Sequence, residues 1–148
     1  MICPICNEPA SRLVPHHDHM RDEVESRLRE LVERRDPHQW GPEVDRFRRS
    51  GLMSRQRFPG EVDMCDPCNT LENAWKRGSN RGGGFLPRTF SLTPDEIRLA
   101  RASKASSGME ATATYVRSIW MAERRRHKRL RRLARAFAER YFAGINRT

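Results

Sequence analysis

Aromatic residues are scarce in this chain: two tyrosines, six phenylalanines and three tryptophans among 148 residues. Apolar residues reach only 36%, so a large hydrophobic core is excluded, and a chain of this size makes one domain or one small domain with an extension. No apolar run approaches the ~20 residues that a membrane span needs. The start, Met1-Ile2-Cys3, lacks a basic segment followed by an apolar stretch, so no signal peptide is expected. Acidic residues are the minority charge: 19 Asp and Glu face 29 Lys and Arg, for a net charge of +10. That balance favours a polyanionic partner, nucleic acid before an anionic membrane. These absences lead to the expectation of a cytoplasmic protein with a nucleic-acid partner and no membrane.

Cysteines are few, but all four fall in two Cys-x-x-Cys pairs, Cys3/Cys6 and Cys65/Cys68. In a reducing compartment such pairs read as metal sites rather than disulfides, and four thiolates can close a tetrahedral zinc site. A redox pair is disfavoured because no βαβ pattern surrounds either motif. A zinc staple would also help so small a core to fold. Between the pairs stands a histidine cluster, His16-His17-Asp18-His19, and Asn69 follows the second pair at once. The zinc needs neither, so both are free for a second metal and for chemistry.

Pro15 suits the run 12–15 to an edge strand. Residues 21–35 carry Val24, Leu28, Leu31 and Val32 on one helical face, and a second short helix is expected over 42–49. A return strand is expected over 58–64 through a turn at Pro59-Gly60. A helix should then start near Cys68-Asn69 and run to about Arg77. The glycine-rich stretch that follows is expected to be a linker over 79–92. Thr93-Pro94-Asp95-Glu96 is a strong helix start, with a break at Ser107-Gly108 and a last helix over about 110–143.

A β-hairpin followed by a helix, stapled at its root by four thiolates, would bring His16 and Asn69 together around one divalent cation. His17 would face the other side of the strand, because side chains alternate. There it would meet water, and imidazole is the natural general base near neutral pH.

This pattern resembles the HNH, or ββα-metal (His-Me finger), endonucleases, most nearly the phage recombination endonuclease VII type. The resemblance covers about residues 1–78. It implies structural zinc at Cys3, Cys6, Cys65 and Cys68, a catalytic cation at His16 and Asn69, and His17 as general base. His19 and Glu72 match positions that handle phosphate or support the metal. His16 stands where the closest type has Asp, which favours Mn²⁺ or Ni²⁺ alongside Mg²⁺. The 45 residues between His19 and Cys65 are also more than the family usually places there.

From 124 to 140 nine Lys or Arg meet one acid, Glu139. Like charges at this density destabilise a bare helix, and phosphates would relieve the repulsion. Arg124, Arg125, Arg126, Lys128, Arg129, Arg131, Arg132 and Arg135 are therefore the expected DNA contacts. His38 and His127 belong to no motif and are expected at the surface.

The expected architecture is α+β and helix-rich. A zinc-stapled nuclease unit spans 1–78, with a helical insertion at about 20–57, followed by the linker and a basic helical extension over 93–148. The expected activity is divalent-metal-dependent DNA cleavage, on branched four-way DNA if the resemblance extends that far, with a homodimer and a phage source implied in the same way. The alternatives are a nicking HNH enzyme without structure preference, a non-catalytic zinc-knuckle DNA-binding protein, and an RNA-directed zinc protein.

Overall fold

The computed structural model describes residues 1–20, 22, 23, 26, 30, 49, 57, 58, 60–78 and 84–145, without the side chains of 137, 138 and 141–145. The helix expected over 42–49 lies, apart from Arg49, outside the described residues, as do His38 and Trp40. Of the helix expected over 21–35, the described residues Asp22, Glu23, Ser26 and Glu30 are helical.

Two short strands pair antiparallel, β1 (Val14–His17) and β2 (Glu61–Met64), with Val14 opposite Met64 and His16 opposite Val62. Pro15 is tolerated because a two-stranded sheet consists of edges. β1 thus begins two residues later than expected and includes both histidines. Gly60 carries the chain into β2 at φ +66, in the left-handed region that suits glycine.

Each cysteine pair closes a tight turn. In the first, Asn7 N–H donates to Cys3 O at 2.9 Å and Cys3 N–H to Glu8 O at 3.0 Å, with Asn7 left-handed at φ 59. In the second, the N–H groups of Cys68 and Asn69 both donate to Cys65 O at 3.0 Å. The helix expected here differs from the one found. A single turn, α1 (Asp66–Asn69), starts from Cys65, and a 3-10 turn follows at Leu71–Ala74. Pro67 favours that early start. Glu72 and Leu71 are drawn inward by their partners, which a continuing α-helix would place elsewhere.

The long helix α2 (Pro94–Ile145) kinks at Gly108, φ 84. Its start is a capping box. Thr93 Oγ1 accepts from Glu96 N–H at 3.3 Å, and Glu96 Oε2 accepts from Thr93 N–H at 2.9 Å. Both arms reach the core, through Ile97 and Ala100 before the kink and Val116 and Trp120 after it. Leu86, Phe90 and Leu92, from the stretch expected to be a linker, are fully buried in the same core. They are held there by the bridge between Lys76 and Leu86. His127, expected at the surface, is buried between Phe90 and Trp120, each ring 5.5 Å away, and hydrogen-bonds Thr89 at 2.9 Å. Burial holds its pKa below the ordinary histidine value.

Among the described residues, no helix is long and apolar enough to cross a membrane.

Candidate functional site

The four cysteines meet at one point. Cys3 Sγ lies 4.0 Å from Cys68 Sγ, and Cys6 Sγ lies 3.7 Å from Cys65 Sγ. Four sulfurs each about 2.3 Å from a tetrahedral zinc are separated by about 3.8 Å, so the cluster has the dimensions of such a site. All four thiols are free. Burial opposes thiolate formation at Cys3, yet N–H groups of Cys65, Cys6 and Ile5 bring it down to about 6, while burial and its neighbours raise Cys65 and Cys68. One thiolate thus opposes the next, and a dication would remove that opposition. The cluster can hold a metal ion such as zinc.

Beside it lies the histidine cluster. β1 buries His16 and leaves His17 half-exposed on the opposite face. Phe58 stacks on the His16 ring at 5.4 Å and 13°. His16 Nε2 is 3.1 Å from Leu92 O, and Nδ1 is 3.2 Å from Asn69 Oδ1. With the Nε2–H donated to Leu92, the Nδ1 lone pair faces an amide oxygen. Two acceptors in that relation lack a proton between them and suit a shared cation. Donors each about 2.1 Å from an octahedral ion, at right angles, are about 3.0 Å apart. A backbone carbonyl that fixes the tautomer of a ligating histidine is the usual outer-sphere arrangement.

Asp22 joins the other two histidines. Its Oδ1 is 2.8 Å from His17 Nε2 and its Oδ2 is 2.9 Å from His19 Nδ1. His19 Nε2 in turn is 3.3 Å from Glu72 Oε1. Glu72 is 1% exposed and also accepts from Lys76 Nζ at 2.5 Å and from Leu92 N–H at 2.8 Å. Burial would raise Glu72, but His19, Lys76 and the Leu92 amide outweigh it and hold the carboxyl at about 2. His19, between Asp22 first and Glu72 second, is raised to about 9. Burial opposes ionisation of Asp22, and its bonds to the two imidazoles overcome that and lower it. His16–His19–Glu72 and His17–His19–Asp22 each bring their ligand atoms within 4.8 Å of one another. In both sets His19 already has each ring nitrogen on a carboxylate, the arrangement of a fixed cation.

Asp18, in the middle of the cluster, is structural. Its carboxylate accepts the N–H groups of Met20 at 3.1 Å and Arg57 at 2.8 Å, tying together the two ends of the insertion.

His19 and Asp22 line a cavity of about 820 Å³. Of the eight basic residues expected to contact DNA, Arg131 and Arg135 reach it, and both bind Glu23: Arg131 Nε at 2.7 and 2.8 Å, and Arg135 Nη2 at 2.7 Å. Arg124, Arg125, Lys128, Arg129 and Arg132 are exposed elsewhere on α2, as is Arg126, which pairs with Glu123 at 3.3 Å. Two site residues escaped sequence reasoning. Asp22 was open to it, as the acid three and five positions beyond His19 and His17. Arg88, at the mouth of the cavity, carries no sequence signal. No family model, curated protein or solved structure matches this chain.

Proposed function

We propose that the chain is a divalent-metal-dependent DNA endonuclease of the HNH, or ββα-metal, type. The observation that carries this reading is the approach of His16 Nδ1 to Asn69 Oδ1 across 53 positions of sequence, next to the four-cysteine cluster. With the Nε2–H given to Leu92 O, the Nδ1 lone pair and the carboxamide oxygen are positioned to share a cation.

His16 and Asn69 would hold the cation, Mg²⁺, Mn²⁺ or Ni²⁺. When bound, it supplies positive charge for a phosphate oxygen and for the departing O3′. His17 donates its Nε2–H to Asp22, so its Nδ1 lone pair is the one left to take a proton from water. Asp22 fixes that tautomer and ring orientation, and by its second oxygen holds His19 in place. His19, with both ring nitrogens on carboxylates, would act as a positioning residue that anchors Asp22 to Glu72. Attack of the deprotonated water on phosphorus would break the P–O3′ bond and leave 5′-phosphate and 3′-hydroxyl ends. The positive face of α2 would hold the flanking duplex through its phosphates.

The test is cleavage of supercoiled, linear and four-way DNA with each metal, using protein of measured zinc content. We expect metal-dependent cutting that falls at least about 100-fold in His17→Ala, with thermal stability and zinc unchanged. Wild-type protein that binds DNA and cuts none of these substrates with any of the three metals would refute the proposal in favour of a non-catalytic zinc-knuckle binder.

A further inference from the structure

Arg88 is held in an unusual way. Its Nε–H donates to Arg77 O at 3.3 Å and its Nη2 to Gly78 O at 3.1 Å. Among the described residues no carboxylate pairs with it, and its side chain is exposed. Other arginines near the site have carboxylate partners: Arg57 pairs with Glu96, and Arg131 and Arg135 share Glu23. Backbone carbonyls fix Arg88 without cancelling its charge. A guanidinium has five N–H donors in a planar fork. The bonds to the two carbonyls use the Nε/Nη2 edge and leave the Nη1/Nη2 edge open, the geometry that grips two oxygens of one phosphate.

Position adds a second, independent observation. Two cavities have this residue in their walls: one of about 820 Å³, where Arg131 and Arg135 stand with Asp22, Glu23, Glu30 and Glu139, and another of about 330 Å³ lined by Asn73, Lys76 and Arg77. Arg88 and His19 are the two residues that line both. Among the described residues the smaller cavity is lined by no carboxylate, so a phosphate beside Arg88 is favoured there. Gly78 is shaped to allow this. It sits at φ +74, and a Cβ there would come 2.9 Å from Arg88 Nη2.

We propose that Arg88 binds the phosphate of a nucleic-acid strand that enters the smaller, carboxylate-free cavity. This rests on the nuclease reading for its chemistry but not for its binding. The guanidinium is preorganised, so little rotamer freedom is lost on contact. Lysine cannot reproduce the fork.

The experiment measures two things on zinc-loaded protein. One is kcat and KM for DNA cleavage with Mn²⁺. The other is affinity for a fluorescein-labelled duplex without added divalent cation, across a salt series. Arg88→Ala should lower kcat about 100-fold, as loss of a donor to the reacting phosphate does. It should also reduce the salt slope of binding by about 1. Arg88→Lys should restore the salt slope and only a small part of kcat. Gly78→Ala, which displaces the guanidinium, should resemble Arg88→Ala. If Arg88→Ala loses its fold, Arg88→Gln replaces it, keeping amide donors for the carbonyls without the charge. Unchanged cleavage and binding in these variants overturns the proposal and leaves the nuclease reading intact. Arg88-dependent binding by a wild type that never cuts sustains the phosphate site and ends the nuclease reading. A wild type that does not bind the duplex overturns both.

Discussion

Replacing Glu72 by glutamine tests the buried charge network at its centre. Three donors converge on the two Glu72 oxygens: Lys76 Nζ, the Leu92 amide and His19 Nε2. Glutamine has the same shape but one acceptor oxygen, and its NH₂ would face a donor. Lys76, 7% exposed, would lose its counter-charge. Removing one partner of a buried pair costs about 3–5 kcal/mol. The lowered pKa of Glu72 gives a second figure from the same contacts. Glu72 falls from 4.5 to about 2, which corresponds to about 3 kcal/mol at neutral pH. A depressed carboxylate stabilises fully above its unfolded value of 4.5, and that stability is lost as pH falls through about 2. His19 acts at the other end of the scale. It rises from 6.5 to about 9, so its contribution is complete below 6.5 and disappears as pH climbs through 9. With its side chain about a third exposed, solvent screening reduces that contribution to about 2 kcal/mol. Part of it is the same Glu72 contact, so the two figures do not add. Urea unfolding of zinc-loaded protein at pH 6.5, 7.5 and 9.5 measures both. Wild type should lose about 2 kcal/mol across the series. Glu72→Gln should start about 3 kcal/mol lower and lose less, because Asp22 alone then holds His19. A cost below about 1 kcal/mol at pH 6.5, or an unchanged alkaline slope, would refute this account of the network.

Cys68→Ser should abolish stoichiometric zinc binding, read by metal analysis, and lower the thermal midpoint sharply, since the cluster staples residues 3 and 65–68 into a small core. Gly84→Ala should destabilise by about 2–3 kcal/mol, because a Cβ would overlap the carbonyl of Lys76 and the oxygen of Trp75, and backbone cannot step aside. Chemical denaturation would show it, and a neutral result would mean that the segment packs differently. Asp22→Asn removes the larger of the two contacts that raise His19, so ring NMR should find its pKa moved from about 9 toward 6.5. An unmoved resonance would show that Asp22 does not contact His19 in solution.

The cysteine pairs were legible because metal ligation restricts spacing more tightly than packing does. The His16 and Asn69 approach was legible for the same reason, being anchored to the second pair at Cys68. Residues 84–92 were not. Leu86, Phe90 and Leu92 follow neither a helical nor a strict strand period, and their burial depends on the pairing of Leu86 with Trp75 and Arg77, remote from any local rule. His127 was hidden by its neighbours' charge. Trp120, His127 and Ala134 are nevertheless seven apart and all buried, so the heptad stripe was present beneath the arginines. Arg88 could not be read at all, since what distinguishes it is two carbonyls ten and eleven residues away.

The spacing of the cysteine cluster and the His16–Asn69 pair constrains what a metal ion at the cysteines can do. Asn69 is bonded through its own amide to Cys65 O, and His16 pairs with Val62, three residues before Cys65. One hydrogen-bonded path from His16 to Asn69 thus passes through the second cysteine turn, and another runs through Leu92 and Glu72. The 3.2 Å separation of Nδ1 and Oδ1 is close to the about 3.0 Å of two donors at right angles on one ion, so a shift of about 1 Å in that turn would lose this arrangement without unfolding β1. If His16 and Asn69 hold a cation as proposed, a metal at the cysteines helps to set the geometry of that site as well as the stability of the fold. In that reading, a condition that empties the cysteine cluster while secondary structure survives should weaken cation binding at His16 and Asn69, as metal titration of the chelated protein would measure.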